Sequence, residues 1–178
     1  MPQVITVDIA KCMGCHSCEV ACAVAHGASP TLHEAIQQDP LPQPRMSLVA
    51  IGEAAVPLHC QHCQDTPCAA VCPKEAIQRP DPDGPVILDE ELCVGCQACV
   101  IVCPFGMIRM SADGKTALKC DMCIDRQQAG QPPACVEACP TGALELVKDA
   151  DIATEVQGRI RKAMEAALQE HYQQATTS

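Results

Sequence analysis

A chain of 178 residues with a formal charge of −10 has no basic face to offer a polyanion, which excludes nucleic acid and disfavours an anionic membrane surface. Phe105 and Tyr172 are its only aromatic side chains, too little ring volume for an ordinary core, whereas cysteine occurs 16 times. No run reaches the roughly 18 consecutive apolar residues of a membrane span, and the most apolar one, Ala98 to Met107, is broken by Cys103 and Pro104.

In chain order, Val4 to Asp8 reads as a short strand entering the first of four cysteine groups. Group one, Cys12, Cys15, Cys18 and Cys22, has the spacing C-x2-C-x2-C-x3-C, and with no proline after Cys22 a helix is expected to continue to Gly27. Residues 27–58 form a cysteine-free insertion in which Pro30, Pro40, Pro42 and Pro44 mark loop and Met46 to Ile51 a strand. It reads as a surface cover or as a docking face for a larger subunit.

Group two, Cys60, Cys63, Cys68 and Cys72, widens the middle gap to four residues and closes on Pro73. Glu75 to Ile77 is the expected strand after it, Asp81 to Pro85 a turn, and Val86 to Asp89 a second entering strand. Group three, Cys93, Cys96, Cys99 and Cys103, repeats the first spacing, is closed by Pro104, and is followed by a strand at Gly106 to Ile108. In group four the loop Ile124 to Ala134 separates Cys120 and Cys123 from Cys135 and Cys139; Pro140 follows, then a strand at Gly142 to Leu144.

From Asp151 to Tyr172 the chain has neither Pro nor Cys, and Ile152, Val156, Ile160, Met164, Leu168 and Tyr172 recur every four residues. That predicts a helix of about 33 Å at 1.5 Å per residue. Its apolar stripe drifts about 40° per step, so one neighbour does not cover it; the helix reads as strapped to its own domain or as an arm on another subunit, for which these six residues are the candidate partner-binding surface.

Three cysteines two residues apart wrap a short turn around one iron–sulfur cubane, and the last cysteine of such a run reaches across to a second cluster. Sixteen cysteines so arranged predict four [4Fe–4S] clusters in two coupled pairs. Zinc explains the C-x2-C pairs but neither the third cysteine nor the repeated Cys-Pro, and a secreted disulfide scaffold has no leader at Met1 to Asp8. The same absence makes the cytoplasm the expected compartment.

Clusters then take the place of the missing large side chains, and folding is expected to depend on them. Proline after the last cysteine ends the short helix and aims that thiolate at the neighbouring cluster. Lys11, Lys74 and Lys119 stand near cysteines as local offsets to the negative charge. His59 and His62 read as donors beside a cluster rather than as ligands, and Glu90, Glu91, Asp121 and Asp125 as solvated faces. With no G-x-G-x-x-G, P-loop or G-x-S-x-G, the expectation is electron carriage without catalysis.

The four groups, the segment His62 to Pro73 (HCQDTPCAAVCP) and the split fourth group, Lys119 to Pro140, resemble the four-cluster iron–sulfur subunits of complex molybdenum and tungsten oxidoreductases, and of formate hydrogenlyase and carbon monoxide dehydrogenase systems. The resemblance covers Val4 to Val147. It implies an α+β fold of two ferredoxin-like halves with short strands and helices, to which the periodicity adds the long C-terminal helix. One half comprises 1–26 and 104–147 with groups one and four, the other 59–103 with groups two and three; 27–58 is the insertion and 148–178 the helical extension.

The resemblance also implies the ligand sets. Cys12, Cys15, Cys18 and Cys139 hold the first cluster, and Cys120, Cys123, Cys135 and Cys22 the second. Cys60, Cys63, Cys68 and Cys103 hold the third, and Cys93, Cys96, Cys99 and Cys72 the fourth. The implied partners are a catalytic molybdenum or tungsten subunit, acting on an aldehyde or formate and with a tungsten aldehyde oxidoreductase foremost, and a second redox subunit of flavin, nicotinamide or hydrogenase type. Two other readings are a structural linker whose C-terminal helix joins copies into a conducting filament, and a freely diffusing polyferredoxin.

Overall fold

The structure is a computed structural model that describes residues 3–29, 31–52 and 54–148. The helix expected over Asp151 to Tyr172, with its stripe from Ile152 to Tyr172, lies outside the described residues.

The described part is α+β, built from short helices and four two-stranded antiparallel sheets. β1 (Val4–Val7) pairs with β8 (Leu144–Val147), Val4 opposite Val147 and Val7 opposite Leu144, so the first strand is tied to the segment that follows group four. In the insertion β2 (Ser47–Ile51) pairs with β3 (Ala54–Leu58). β4 (Ile77–Gln78) pairs with β5 (Ile87–Leu88), and β6 (Arg109–Met110) with β7 (Ala117–Leu118).

The strands following each Cys-Pro start later than expected for a backbone reason. The third residue after the cysteine, Glu75, Gly106 or Gly142, has φ of 52°, 61° or 64°, a left-handed turn that no strand accommodates. Strand pairing therefore begins only at Ile77, Arg109 and Leu144.

The helices are α1 (Ser17–Ala25), α2 (Leu32–Ala35), α3 (Pro67–Ala70), α4 (Ala98–Val102), α5 (Ile124–Gln128) and α6 (Ala134–Glu137). In α1, Cys18 and Cys22 stand one turn apart and are both buried, so a single helix face delivers two thiols to the interior. The loop expectation for the insertion missed α2, whose start is signalled by Thr31: its hydroxyl accepts from the Glu34 backbone N–H and donates to the Glu34 carboxylate.

Two apolar cores result. The first packs Ile5, Met46, Met122 and Leu144 around Cys18, Cys22, Cys60, Cys120 and Cys135, so sulfur rather than aromatic rings occupies its centre. The second packs Ile77, Val86, Ile108 and Ala117 with Cys99, and Met110 lies against it. The division at residue 104 assigns Ile108, Met110 and Ala117 to the half with groups one and four. They pack instead with groups two and three, because β6 and β7 complete that core.

Candidate metal centres

Three cavities of similar size are each walled by four cysteines. Cys72, Cys93, Cys96 and Cys99 line one, Cys60, Cys63, Cys68 and Cys103 the second, and Cys12, Cys15, Cys18 and Cys139 the third. In each, three thiols come from one group and the last from the end of another. Of the remaining four, Cys22, Cys120 and Cys135 pack in the first core, while ligating atoms of Cys123, His26 and Asp121 lie within 4.8 Å of one another.

The loops achieve this by repeating a backbone turn. The residue before the second cysteine is left-handed in all four groups: Gly14 at φ 72°, His62 at 46°, Gly95 at 66° and Met122 at 59°. In groups two and four that residue's own amide faces the leading sulfur, the N–H of His62 donating to Cys60 Sγ and that of Met122 to Cys120 Sγ, both at 3.4 Å.

At Gly95 the backbone geometry admits no side chain, because a Cβ would stand 2.6 Å from the Lys115 carbonyl oxygen. Gly95→Ala is expected to cost about 1–2 kcal/mol from left-handed strain alone, with the clash added. Gly106→Ala, whose Cβ would meet nothing within 4 Å, should show the strain by itself. Thermal melts of the two iron-loaded variants check the difference.

The Cys-Pro turns share a second device. The amide four residues on donates back to sulfur, Ala76 to Cys72 at 3.2 Å, Met107 to Cys103 at 3.4 Å and Ala143 to Cys139 at 3.2 Å. Cys22 lacks the proline and lies in α1, where the amide four residues on is spent on the Cys22 carbonyl. The insertion replaces it, the N–H of Arg45 reaching Cys22 Sγ at 3.2 Å. A stretch that sequence reads as cover thus takes part in the site.

Arg45 also corrects the reading of Asp121 as a solvated face, while Glu90 is exposed as expected. Its guanidinium donates to Asp121 at 3.0 Å and to Glu90 at 2.8 Å, and His26 Nε2 donates to Asp121 at 3.0 Å. Burial disfavours charge on both His26 and Asp121, yet their pairing outweighs it. With its hydrogen bonds to Asp121, Cys123 and Cys22, His26 is pushed up to about 12, and His26 with Arg45 brings Asp121 down to about 2. The carboxylate is therefore a strut joining α1, the insertion and group four.

The donor set fits iron–sulfur clusters. Every candidate ligand is a thiol, all 16 are unbridged, and they converge on small cavities rather than on a water-filled cleft. Burial pushes Cys18 and Cys63 up to about 11 and Cys135 up to about 12. Without metal these thiols favour the neutral form, and metal binding releases their protons. Cys15 and Cys96 are the exposed members, one in each of two cavities.

The profile of the 4Fe-4S dicluster domain matches residues 53–149, a span that contains groups two, three and four. The "Iron-sulfur protein" of Rhodospirillum rubrum is 41% identical over 148 residues, covering 76% of this chain and 77% of the relative. Formate hydrogenlyase subunit 2 of Escherichia coli is 36% identical over 187 residues, covering 86% and 85%. Electron transport protein HydN of Escherichia coli is 38% identical over 159 residues, covering 81% and 87%. The chain spans only 22% and 25% of two longer Escherichia coli relatives, UacF and AegA.

Proposed function

Because the chain belongs to the 4Fe-4S dicluster domain family of iron–sulfur electron-transport proteins, we propose that it holds four [4Fe–4S] clusters as the relay subunit of an oxidoreductase complex. The cavities carry this reading. Three separate pockets each collect four cysteines in the crossed pattern, and the remaining cysteines are Cys22, Cys120, Cys123 and Cys135. The clusters would be held by Cys12, Cys15, Cys18 and Cys139; by Cys22, Cys120, Cys123 and Cys135; by Cys60, Cys63, Cys68 and Cys103; and by Cys72, Cys93, Cys96 and Cys99.

When bound, such clusters accept and release single electrons. The chain's own part is to exclude water, fix thiolate positions and leave edges open at Cys15 and Cys96, the exposed ligands and so the points for electron entry and exit. We take the partners to be a catalytic subunit and a second redox subunit; the likeness to formate hydrogenlyase subunit 2 supports this. Among the described residues no helix is long and apolar enough to cross a membrane.

Iron and acid-labile sulfide are expected at about 16 each per chain in an anaerobic preparation, as four cubanes require. About half those values in an intact preparation would overturn the four-cluster reading, and anaerobic purification without any stably bound partner would overturn the relay-subunit reading.

A further inference from the structure

The cavity walled by Cys60, Cys63, Cys68 and Cys103 differs from the other two in what else lines it. His62 and Lys119 both border it, and both are buried, at 5% and 2% exposure. Its counterparts are bordered by exposed groups, Lys74 in one and His16 in the other, the imidazole of His16 being 62% exposed. Buried polar groups act on a neighbouring charge through a lower effective dielectric, so their influence is larger.

The tautomer of His62 follows from its surroundings. The Val86 backbone N–H donates to Nδ1 at 2.9 Å, which leaves the ring proton of the neutral imidazole on Nε2. Among the described residues that buried Nε2 has no hydrogen-bond partner. Orphaned buried donors are rare and costly, and His62 borders the cavity whose four thiols would hold sulfur acceptors. Arg79 fixes the loop behind the ring, its Nη2 donating at 2.7 Å to the carbonyls of both His62 and Cys63.

Lys119 is placed between two sites. Its Nζ donates to the Val86 carbonyl at 2.5 Å and to the Cys120 carbonyl at 2.7 Å, while the same side chain borders the Cys60 cavity. An ammonium has three N–H donors and these two carbonyls use two. Cys60 itself packs in the first core with Cys120, so this is where groups two and four meet.

We propose that His62 and Lys119 raise the reduction potential of the cluster held by Cys60, Cys63, Cys68 and Cys103, His62 through an Nε2–H···S hydrogen bond and Lys119 through its positive charge. Lys119 acts in the same direction on the neighbouring cluster at Cys120. Both are positioning residues, and the proposal rests on the ligand sets given above. Adding an electron adds negative charge, and a donor or cation beside the sulfurs favours that form. The junction between groups two and four thereby holds an electron more firmly than it would without these two side chains.

The test is a redox titration of the full chain, loaded anaerobically and followed by electron paramagnetic resonance, with iron measured on each sample. Lys119→Met should keep its iron and lower two of the potentials, each by about tenfold in the reduction equilibrium, which for one electron is about 59 mV. Lys119→Arg should behave as the parent. His62→Leu should lower one potential by a similar factor, whereas His62→Gln, which restores an N–H, should recover much of it.

Unchanged potentials in iron-replete Lys119→Met and His62→Leu would overturn the proposal, as would a Lys119→Arg variant shifted as far as the methionine one. Should Lys119→Met fail to load iron, the His62 pair decides alone, and equal potentials in leucine and glutamine variants count against it. Cys68→Ala separates the premise from the inference. Retention of all iron in that variant removes the ligand set itself rather than the tuning.

Discussion

Stripping the iron from the loaded protein with a strong chelator, in excess thiol reductant that keeps the cysteines unbridged, is expected to abolish cooperative folding. Far-ultraviolet circular dichroism should lose most of its signal and thermal melts their sharp transition. The cause lies in the composition of the first core, where five of the nine buried members are cysteines and none is aromatic. With the clusters gone, Cys18, Cys22, Cys60, Cys120 and Cys135 surround empty space, and the dispersion contacts of the lining are lost.

Local structure offers no compensation. α3 and α6 have four residues each and three of the four sheets have strands of two to four residues, lengths that are unstable without tertiary support. Metal binding to small structural sites is worth on the order of 10 kcal/mol, as much as the whole stability of an ordinary domain, about 5–15 kcal/mol. A sharp, reversible melt in the iron-free, reduced chain would contradict this account.

Cysteine spacing made the site legible because, in three of the cavities, three of the four thiols come from one short stretch of chain, and such a stretch is a local object. The strands at Val4 and Ile87 were legible for the same reason, as short apolar runs abutting those stretches. What escaped were partners brought in from far along the chain. Nothing around Arg45 in sequence announces that its amide completes the shell of Cys22 or that its guanidinium ties Asp121 to Glu90. Nor does the lysine before Cys120 look unlike Lys11, yet Lys11 is a surface partner of Asp8 while Lys119 is buried against two carbonyls.

Some of this had a signal. Gly14 and Gly95 stand before the second cysteine of groups one and three, and Gly106 and Gly142 three residues after a Cys-Pro cysteine. Aligned on the cysteines, these glycines mark the left-handed positions, and His62, Met122 and Glu75 are the non-glycine residues that occupy the same places. The partition of residues 104–118 had none, since whether β6 and β7 join one core or the other is decided by packing against Ile77 and Val86.

The crossing of the last ligand can be tested by whether substitutions add. Cys103 closes group three in sequence, but it borders the same cavity as Cys60, Cys63 and Cys68, while Cys72 borders that of Cys93, Cys96 and Cys99. If Cys60 and Cys103 serve one cluster, Cys60→Ala and Cys103→Ala each remove about four irons per chain, one cubane's worth. The double variant then removes no more than either single one. Residues acting as one unit are non-additive in this way, whereas independent sites add. Cys93→Ala combined with Cys103→Ala should lose about eight irons, because two clusters are then broken. The opposite pattern, additivity for Cys60 with Cys103 and none for Cys93 with Cys103, would mean that each group closes on itself. The crossed arrangement has a mechanical consequence that a self-contained one lacks. Helix α4 ends at Val102 and its Cys103 is fixed to the group-two site, so loss of the Cys60 cluster frees the end of the helix that presents Cys99 to the other cavity. The surviving cluster of that pair should therefore release iron faster to a chelator than it does in the parent, which stopped-flow absorbance on the Cys60→Ala protein measures directly.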